Sequence, residues 1–264
     1  MARFAIGSSL KMYFGHQRTM DRVRAVADIC THRPATTEGN RAVLRHPDLP
    51  EHPRSGRAGP PRRNHGGAQE LHGEDAGPFT GEVSGPELAE LGATIVEIGH
   101  AERRAQFGDT DEIVARKTIA ALRNGLAPVL CIGEPEHATP QQAISLCIRQ
   151  LESALAPARA ADVGGRLLVA YVPIWAIGAA QPAAPGYVTT ICRALREHLG
   201  GDELLPDSHV IYGGIAGPGL LPQIAADVDG MFLGRFAHNP DALRLILDEV
   251  LKLHDARSIE GARR

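Results

Sequence analysis

From Gly92 onward the chain alternates between short, largely apolar runs and longer segments whose apolar residues recur every three or four positions. Short apolar runs mark strands buried on both faces, and the helical recurrence marks elements with one buried side. The pattern predicts strands over Thr94–Ile98, Pro128–Ile132, Leu167–Tyr171, His209–Tyr212 and Gly230–Leu233. Between and after them it predicts helices over Thr110–Arg123, Pro140–Leu155, Tyr187–Leu199 and Pro240–Leu253, with a short one near Leu220–Ala225. Ala143, Ile144, Cys147, Ile148, Leu151 and Leu155 share one helical face, and Thr139 before Pro140 supplies a cap and a first-turn proline. At the front, Arg3–Gly7 reads as a strand and Thr19–Cys30 as a helix, and a weaker strand ends near Gly66–Gln69. Strand–helix units in succession, with strands this apolar, predict a parallel sheet covered by helices.

One stretch breaks the pattern. "THRPATTEGNRAVLRHPDLPEHPRSGRAGPPRRNHG", from Thr31 to Gly66, holds Val43, Leu44 and Leu49 as its only aliphatics larger than alanine. It is dense in Pro, Arg and His, a composition that does not bury a core. A closed eight-unit ring needs one more strand–helix pair here, and the segment does not supply it by pattern. Aliphatic content is lost abruptly and returns by Gly67, as it would in a segment read out of frame, which the coding DNA decides.

The 264 residues suit one large α/β domain, and 43% hydrophobic with 22% charged residues is ordinary for a globular protein. A net charge of −3 gives no basic footprint, so no nucleic-acid partner and no anionic-membrane partner is expected. No signal peptide is read in MARFAIGSSLKMYFG, and no apolar stretch approaches the roughly 18 residues of a membrane span. Cys30, Cys131, Cys147 and Cys192 are widely spaced, which favours reduced, buried thiols and a cytoplasmic setting. No His/Cys/Asp spacing points to a metal, and no cofactor is expected.

Chemistry concentrates in a few phrases: "SSLKMYFG" near the start, "GAQELHGEDAGPFTGEVS" at 67–84, "EIGHAERRAQFGDTDEIVARKTIAALRNGLAPVLCIGE" at 97–134, "YVPIWAIG" and "VIYGGIAGPG". In order and spacing, over residues 1–30 and from about 66 to the end, they resemble the triosephosphate isomerase family. The resemblance implies a single (β/α)8 barrel over 1–264, its second unit (about 32–66) degenerate or disordered, with the active site at the C-terminal ends of the strands. It also implies a homodimer, because residues 72–83 resemble the family's interface loop, and a small phosphorylated sugar as substrate. By resemblance, Lys11 holds the substrate electrostatically and His100 polarises its carbonyl. Glu102 orients Lys11 and the enediolate. Gly178, Gly213, Gly214 and Gly234 fall in or beside the backbone cradle for the phosphate, where a missing side chain lets an anion approach. Read without the resemblance, Lys11 is a surface lysine, Glu102 a partner for Arg103 or Arg104, and Gly213–Gly214 an ordinary turn. Trp175 reads as a packing anchor for its loop, and His16, His72 and His238 as non-catalytic.

The departures are as informative as the matches. The family's catalytic base stands directly before its Pro-x-Trp-Ala loop, and here that position is Val172. Ser9 replaces an asparagine, Ala101 a serine, Ile215 a hydroxyl donor of the phosphate turn and Arg235 a second glycine after strand eight. The loop hinge reads Ala179-Ala180-Gln181. "SLKMYFGH", "WAIGA" and "LGRFAH" resemble a branch associated with tetrulose-phosphate isomerases. The expected activity is interconversion of glyceraldehyde 3-phosphate and dihydroxyacetone phosphate through an enediolate, impaired by the loss of the base. The alternatives are a tetrulose-phosphate isomerase and a catalytically silent barrel that still binds sugar phosphates.

Overall fold

In the computed structural model, residues 4–31, 42–45, 65–179 and 181–262 are described. Eight parallel strands form a closed ring in chain order: β1 (Ala5–Ser8), β2 (Ala42–Arg45), β3 (His65–Ala68), β4 (Ile95–Ile98), β5 (Ala127–Ile132), β6 (Leu168–Tyr171), β7 (His209–Tyr212) and β8 (Gly230–Leu233). β1 closes the ring on β8, with Ala5 opposite Gly230 and Ser8 opposite Leu233. Around it lie α1 (His16–Thr31), α2 (Gly85–Glu90), α3 (Ala101–Phe107), α4 (Asp111–Arg123), α5 (Pro140–Ala160), α6 (Pro185–Leu199), α7 (Leu221–Ile224) and α8 (Pro240–Ala262). No helix among the described residues is long and apolar enough to cross a membrane.

Strands β5, β6 and β8 are apolar throughout because each face meets a different core. Ile95, Val129, Leu168, Ala170, Ile211 and Phe232 point inward and fill the barrel. Their neighbours in sequence, such as Val96, Leu130, Val169 and Val210, point outward against the helices. The same outer core includes the face of α5 that carries Ala143, Cys147, Leu151 and Leu155, all fully buried. Truncating Leu151 to alanine should cost ~2–5 kcal/mol, because these close-packed neighbours cannot collapse fully into the space. The four cysteines are buried thiols, none of them in a disulfide.

Helix starts follow the caps. The Thr139 side chain accepts from Gln142 N, and the Gln142 side chain accepts in return from Thr139 N, a complete capping box. The Thr110 side chain caps α4 by accepting from Ile113 N, without the reciprocal bond. The periodicity does not announce α2 and α3, which are too short to repeat a hydrophobic face. α3 buries none of its side chains fully.

The second unit departs from its expectation in one respect. A strand is present: Ile6 pairs with Val43, Gly7 with Leu44, and Leu44 with His65. It is four residues long, which is why its two aliphatics did not stand out among prolines and arginines. The rest of the segment expected to be degenerate or disordered, residues 32–41 and 46–64, lies outside the described residues.

Candidate active site

A ring of parallel strands puts every strand's C-terminal end on one rim. Lys11 follows β1, His100 follows β4, Val172 follows β6, Gly213 and Gly214 follow β7, and Gly234 follows β8. Gly178 lies in the loop after β6. The residues singled out in the sequence therefore share one face of the molecule.

Lys11 sits in the left-handed region, with φ of 51°, a conformation that costs a non-glycine residue on the order of 1–3 kcal/mol. Gln69, just past β3, offsets that cost from both sides. Its Oε1 accepts from Lys11 N at 2.6 Å, and its Nε2 donates to Lys11 O at 3.2 Å. The ammonium then reaches Glu102 Oε1 at 2.6 Å. Partly exposed pairs add little stability, so the pair's consequence is orientation. The alternative partners of Glu102 are engaged elsewhere: Arg103 pairs with Glu70, and Arg104 pairs with Asp111.

His100 caps α3. Its Nδ1 accepts from Glu102 N at 3.1 Å, so the ring proton of the neutral form belongs on Nε2. Burial is the main reason this ring resists protonation. The Lys11 charge adds to the effect and Glu102 opposes it, and together they bring its pKa down to about 4. Near neutral pH His100 is therefore an uncharged donor through Nε2.

A second carboxyl lies beneath it. Glu97 points into the barrel from β4, is 3% exposed, and has Oε1 3.9 Å from His100 Nε2 and 3.9 Å from Cys131 Sγ. Burial lifts its pKa to about 7, against the lowering influence of the Ser9 hydroxyl and the Lys11 charge. Ser9, Lys11, Gln69, Glu97, His100 and Glu102 all line one cavity of about 560 Å³.

The opposite part of the rim is built differently. Val172 is buried, its N donating to Ile132 O at 2.7 Å, and a Cβ on Gly213 would come within 2.5 Å of its Cγ2. Gly178 and Gly214 adopt φ of 75° and 107°, which glycine alone takes without strain. Neither Val172 nor any of the four glycines lines the cavity of Lys11 and His100. The loop after β6 is held by Glu134, which accepts from Trp175 Nε1 at 2.7 Å, Tyr187 OH at 3.0 Å and Tyr171 OH at 3.1 Å. Trp175 is thus an anchor for its loop, as its sequence context suggested. His72 packs on Phe79, and His238 sits against Tyr13 and Phe14; neither histidine lines the cavity of Lys11.

Sequence reasoning passed over Glu97, Gln69 and Glu134. Glu97 had a usable signal: it is the one charge in a strand whose neighbours are all Ile or Val and whose two faces are both buried. Gln69 and Glu134 lie in sequence next to nothing they bind, so only the fold reveals their partners.

The family model of triosephosphate isomerase matches residues 4–250. The chain is 46% identical over 251 residues to the L-erythrulose-1-phosphate isomerase of Pectobacterium atrosepticum, covering 95% of this chain and 97% of that protein. It is 41% identical over 185 residues to a triosephosphate isomerase of Synechococcus, covering 69% and 71%. The crystal structure of triosephosphate isomerase from Bartonella henselae superposes with a TM-score of 0.74 at 25% identity, covering 94% of this chain and 98% of that one. A barrel with this strand order, a lysine and a neutral histidine meeting at its rim, and a family match along nearly the whole chain have one reading: the protein belongs to the triosephosphate isomerase family.

Proposed function

We propose that the chain is an aldose–ketose isomerase of short sugar phosphates, working through an enediolate. The observation that carries this reading is the meeting of Lys11, His100 and Glu102 in one cavity. Isomerisation removes a proton from a carbon beside a carbonyl, and negative charge develops on the carbonyl oxygen. A cation and a neutral N–H donor aimed at one spot lower the energy of that charge more than that of the neutral carbonyl, which is what accelerates the step. His100 is suited to the task because it stays neutral: it polarises the oxygen through Nε2 and can pass that proton between neighbouring oxygens. Glu102 keeps the Lys11 ammonium over the cavity. Gly178, Gly213, Gly214 and Gly234 form the phosphate end, where backbone N–H groups meet the anion.

A four-carbon ketose phosphate is the preferred substrate in this reading, supported by the 46% identity to an L-erythrulose-1-phosphate isomerase along nearly its whole length. The three-carbon pair, glyceraldehyde 3-phosphate and dihydroxyacetone phosphate, is the second reading, supported by the matched family and the Synechococcus relative. Val172 has no basic atom, so turnover is impaired relative to the same barrel with a carboxylate there. A homodimer through the 72–83 loop belongs to the same proposal, supported by Phe79, which remains 40% exposed on that loop. So does a cytoplasmic setting, which the absence of disulfides suits.

The test is interconversion of L-erythrulose 1-phosphate, and of dihydroxyacetone phosphate, followed by proton NMR, for the chain as it stands and for Val172→Glu. Slow turnover by the first and faster turnover by the second is expected, with the four-carbon substrate ahead. If neither protein isomerises either substrate yet both bind it, the silent-barrel alternative replaces this reading.

A further inference from the structure

Val172 leaves the reaction without its base, yet an unassigned carboxyl lies in the cavity that holds Lys11 and His100. We infer that Glu97 is the proton-abstracting group of this chain, a base supplied from β4 in place of the one missing after β6. The inference rests on the isomerase reading above.

Geometry carries it. The 3.9 Å between Glu97 Oε1 and His100 Nε2 is too long for a hydrogen bond. It suits two groups that share a substrate fragment. A carbonyl oxygen about 2.8 Å from Nε2 leaves the hydrogen on the adjacent carbon within reach of Oε1. Glu97 lines the cavity and Val172 does not. Among the described residues, the groups facing Glu97 are Ser9 and Lys11 after β1, Glu70 after β3, His100 and Glu102 on the β4 side, and Cys131 on β5. Among them, Lys11 and His100 are the ones that stabilise an enediolate. Glu102 is paired with Lys11, and Glu70 with Arg103 and Lys117. A buried carboxyl that titrates at about 7 is also well matched to taking and returning a proton near neutral pH.

In the step itself, the Glu97 carboxylate takes the proton from the carbon next to the carbonyl. The C–H electron pair becomes the C=C bond, and the carbonyl π pair moves to oxygen, where Lys11 and His100 Nε2–H hold it. His100 moves a proton between the two oxygens. Glu97 then returns its proton to the other carbon, the C=C pair forms the new C–H bond, and a carbonyl appears at the neighbouring position. Nothing is consumed, and no oxidant or cofactor enters.

The experiment compares four proteins: the unmodified chain, Glu97→Gln, Val172→Glu and the double variant Glu97→Gln/Val172→Glu. Turnover of L-erythrulose 1-phosphate and of dihydroxyacetone phosphate is measured from pH 5 to 9. Exchange of the substrate's carbon-bound proton with D2O is followed in parallel. Glu97→Gln should lower kcat by ~10²-fold or more, with KM changed less than about threefold. It should also abolish exchange and remove the acid limb near pH 7 from the profile of the unmodified chain. The double variant should recover turnover, which shows that the amide has not damaged the barrel and that the lost function was a base. Glu97→Gln within about threefold of the unmodified chain would overturn the inference. So would failure of the double variant to recover while Val172→Glu alone turns over, because Glu97 would then be needed for something other than proton abstraction. An unmodified chain that neither turns over nor exchanges, beside an active Val172→Glu, overturns this inference and leaves the isomerase reading standing. Inactivity of all four overturns both.

Discussion

The rim of the barrel has two unlike halves. On the side of β1, β3 and β4, charged and amide side chains interlock: Gln69 fixes the Lys11 backbone, Glu102 fixes its ammonium, and the Glu102 amide fixes the tautomer of His100. On the side of β6, β7 and β8, the residues are the buried Val172, Gly213 and Gly214, the half-buried Ile215, and Gly234 followed by Arg235. One half presents interlocked charged and amide side chains, and the other is the half where the proposed function places the anion. By the resemblance, the family's base would stand on this second half, at the position where this chain has Val172. In the proposed reading the anion and the reacting carbons rest on different strands, so anion affinity and turnover can be changed separately.

The largest break of the contrast is to give the second half a carboxylate. Val172→Glu should raise kcat by ~10²-fold or more, with KM changed only a few-fold, because the carboxylate acts chiefly in the transition state. Steady-state kinetics on both substrates measures it. An unchanged kcat would mean that a carboxylate at 172 adds nothing to the base the chain already has.

Breaking the first half comes next. Lys11→Met should lower kcat/KM by ~10²–10³-fold through loss of the cation at the developing oxyanion. The variant should also relax the strained backbone at 11 little, since Gln69 holds main-chain atoms and not the ammonium. Retained kcat/KM would show that Lys11 faces solvent in function, as a lone lysine usually does.

The same division governs what could be read from the sequence. The strands β4 to β8 and helices α4 to α6 are legible because both faces of each strand are buried and each helix has one buried side, so periodicity reports them directly. α2 and α3 escape because seven residues or fewer do not repeat a face. β2 escapes because its partners on β1 and β3, not its own composition, make it a strand. Lys11 and His100 are legible only through the phrases that surround them. The role of Gln69 depends on a contact spanning 58 residues, which no local pattern encodes. Glu97 was overlooked for a different reason: an acid inside a barrel is unfavourable on stability grounds, so a pattern tuned to cores passes over it.

That cost is itself measurable. A rise of the Glu97 pKa from 4.5 to about 7 corresponds to a penalty on the order of 3 kcal/mol once the group is charged. Between those values the folded chain holds a proton that the unfolded chain releases, so this group lowers stability as pH climbs through the window. His100 acts with the opposite sign. Its pKa falls from 6.5 to about 4, the unfolded chain binds the extra proton in between, and stability rises with pH over that range. The two therefore oppose each other between about pH 4.5 and 6.5. Glu97→Gln should leave Tm nearly unchanged at pH 4.5, raise it by several degrees at pH 8, and uncover the rise due to His100 in between. Thermal melts at three pH values check this. A variant less stable than the parent at pH 8 would mean that the Glu97 carboxylate is a net stabilising partner of Lys11 and Ser9.

The smallest expected effect sharpens the anion half alone. Ile215 stands in the turn after β7 beside Gly213 and Gly214, where an aliphatic side chain offers a phosphate nothing. A hydroxyl there adds one hydrogen bond to a charged group, worth ~1.5–3 kcal/mol at best and less when an exposed site shares the phosphate with water. Ile215→Ser should therefore lower KM by roughly tenfold, about 1.4 kcal/mol, and leave kcat within about threefold, since the phosphate carries the same charge in the ground and transition states. The ratio of four- to three-carbon turnover should not move, because the phosphate is common to both substrates. Titration with inorganic phosphate as a competitor gives the same affinity change without turnover, and so holds even where kcat is too low to measure well. An unchanged KM and an unchanged phosphate affinity would place the anion elsewhere on the rim, and the division between a charged half and an anion half would have to be redrawn.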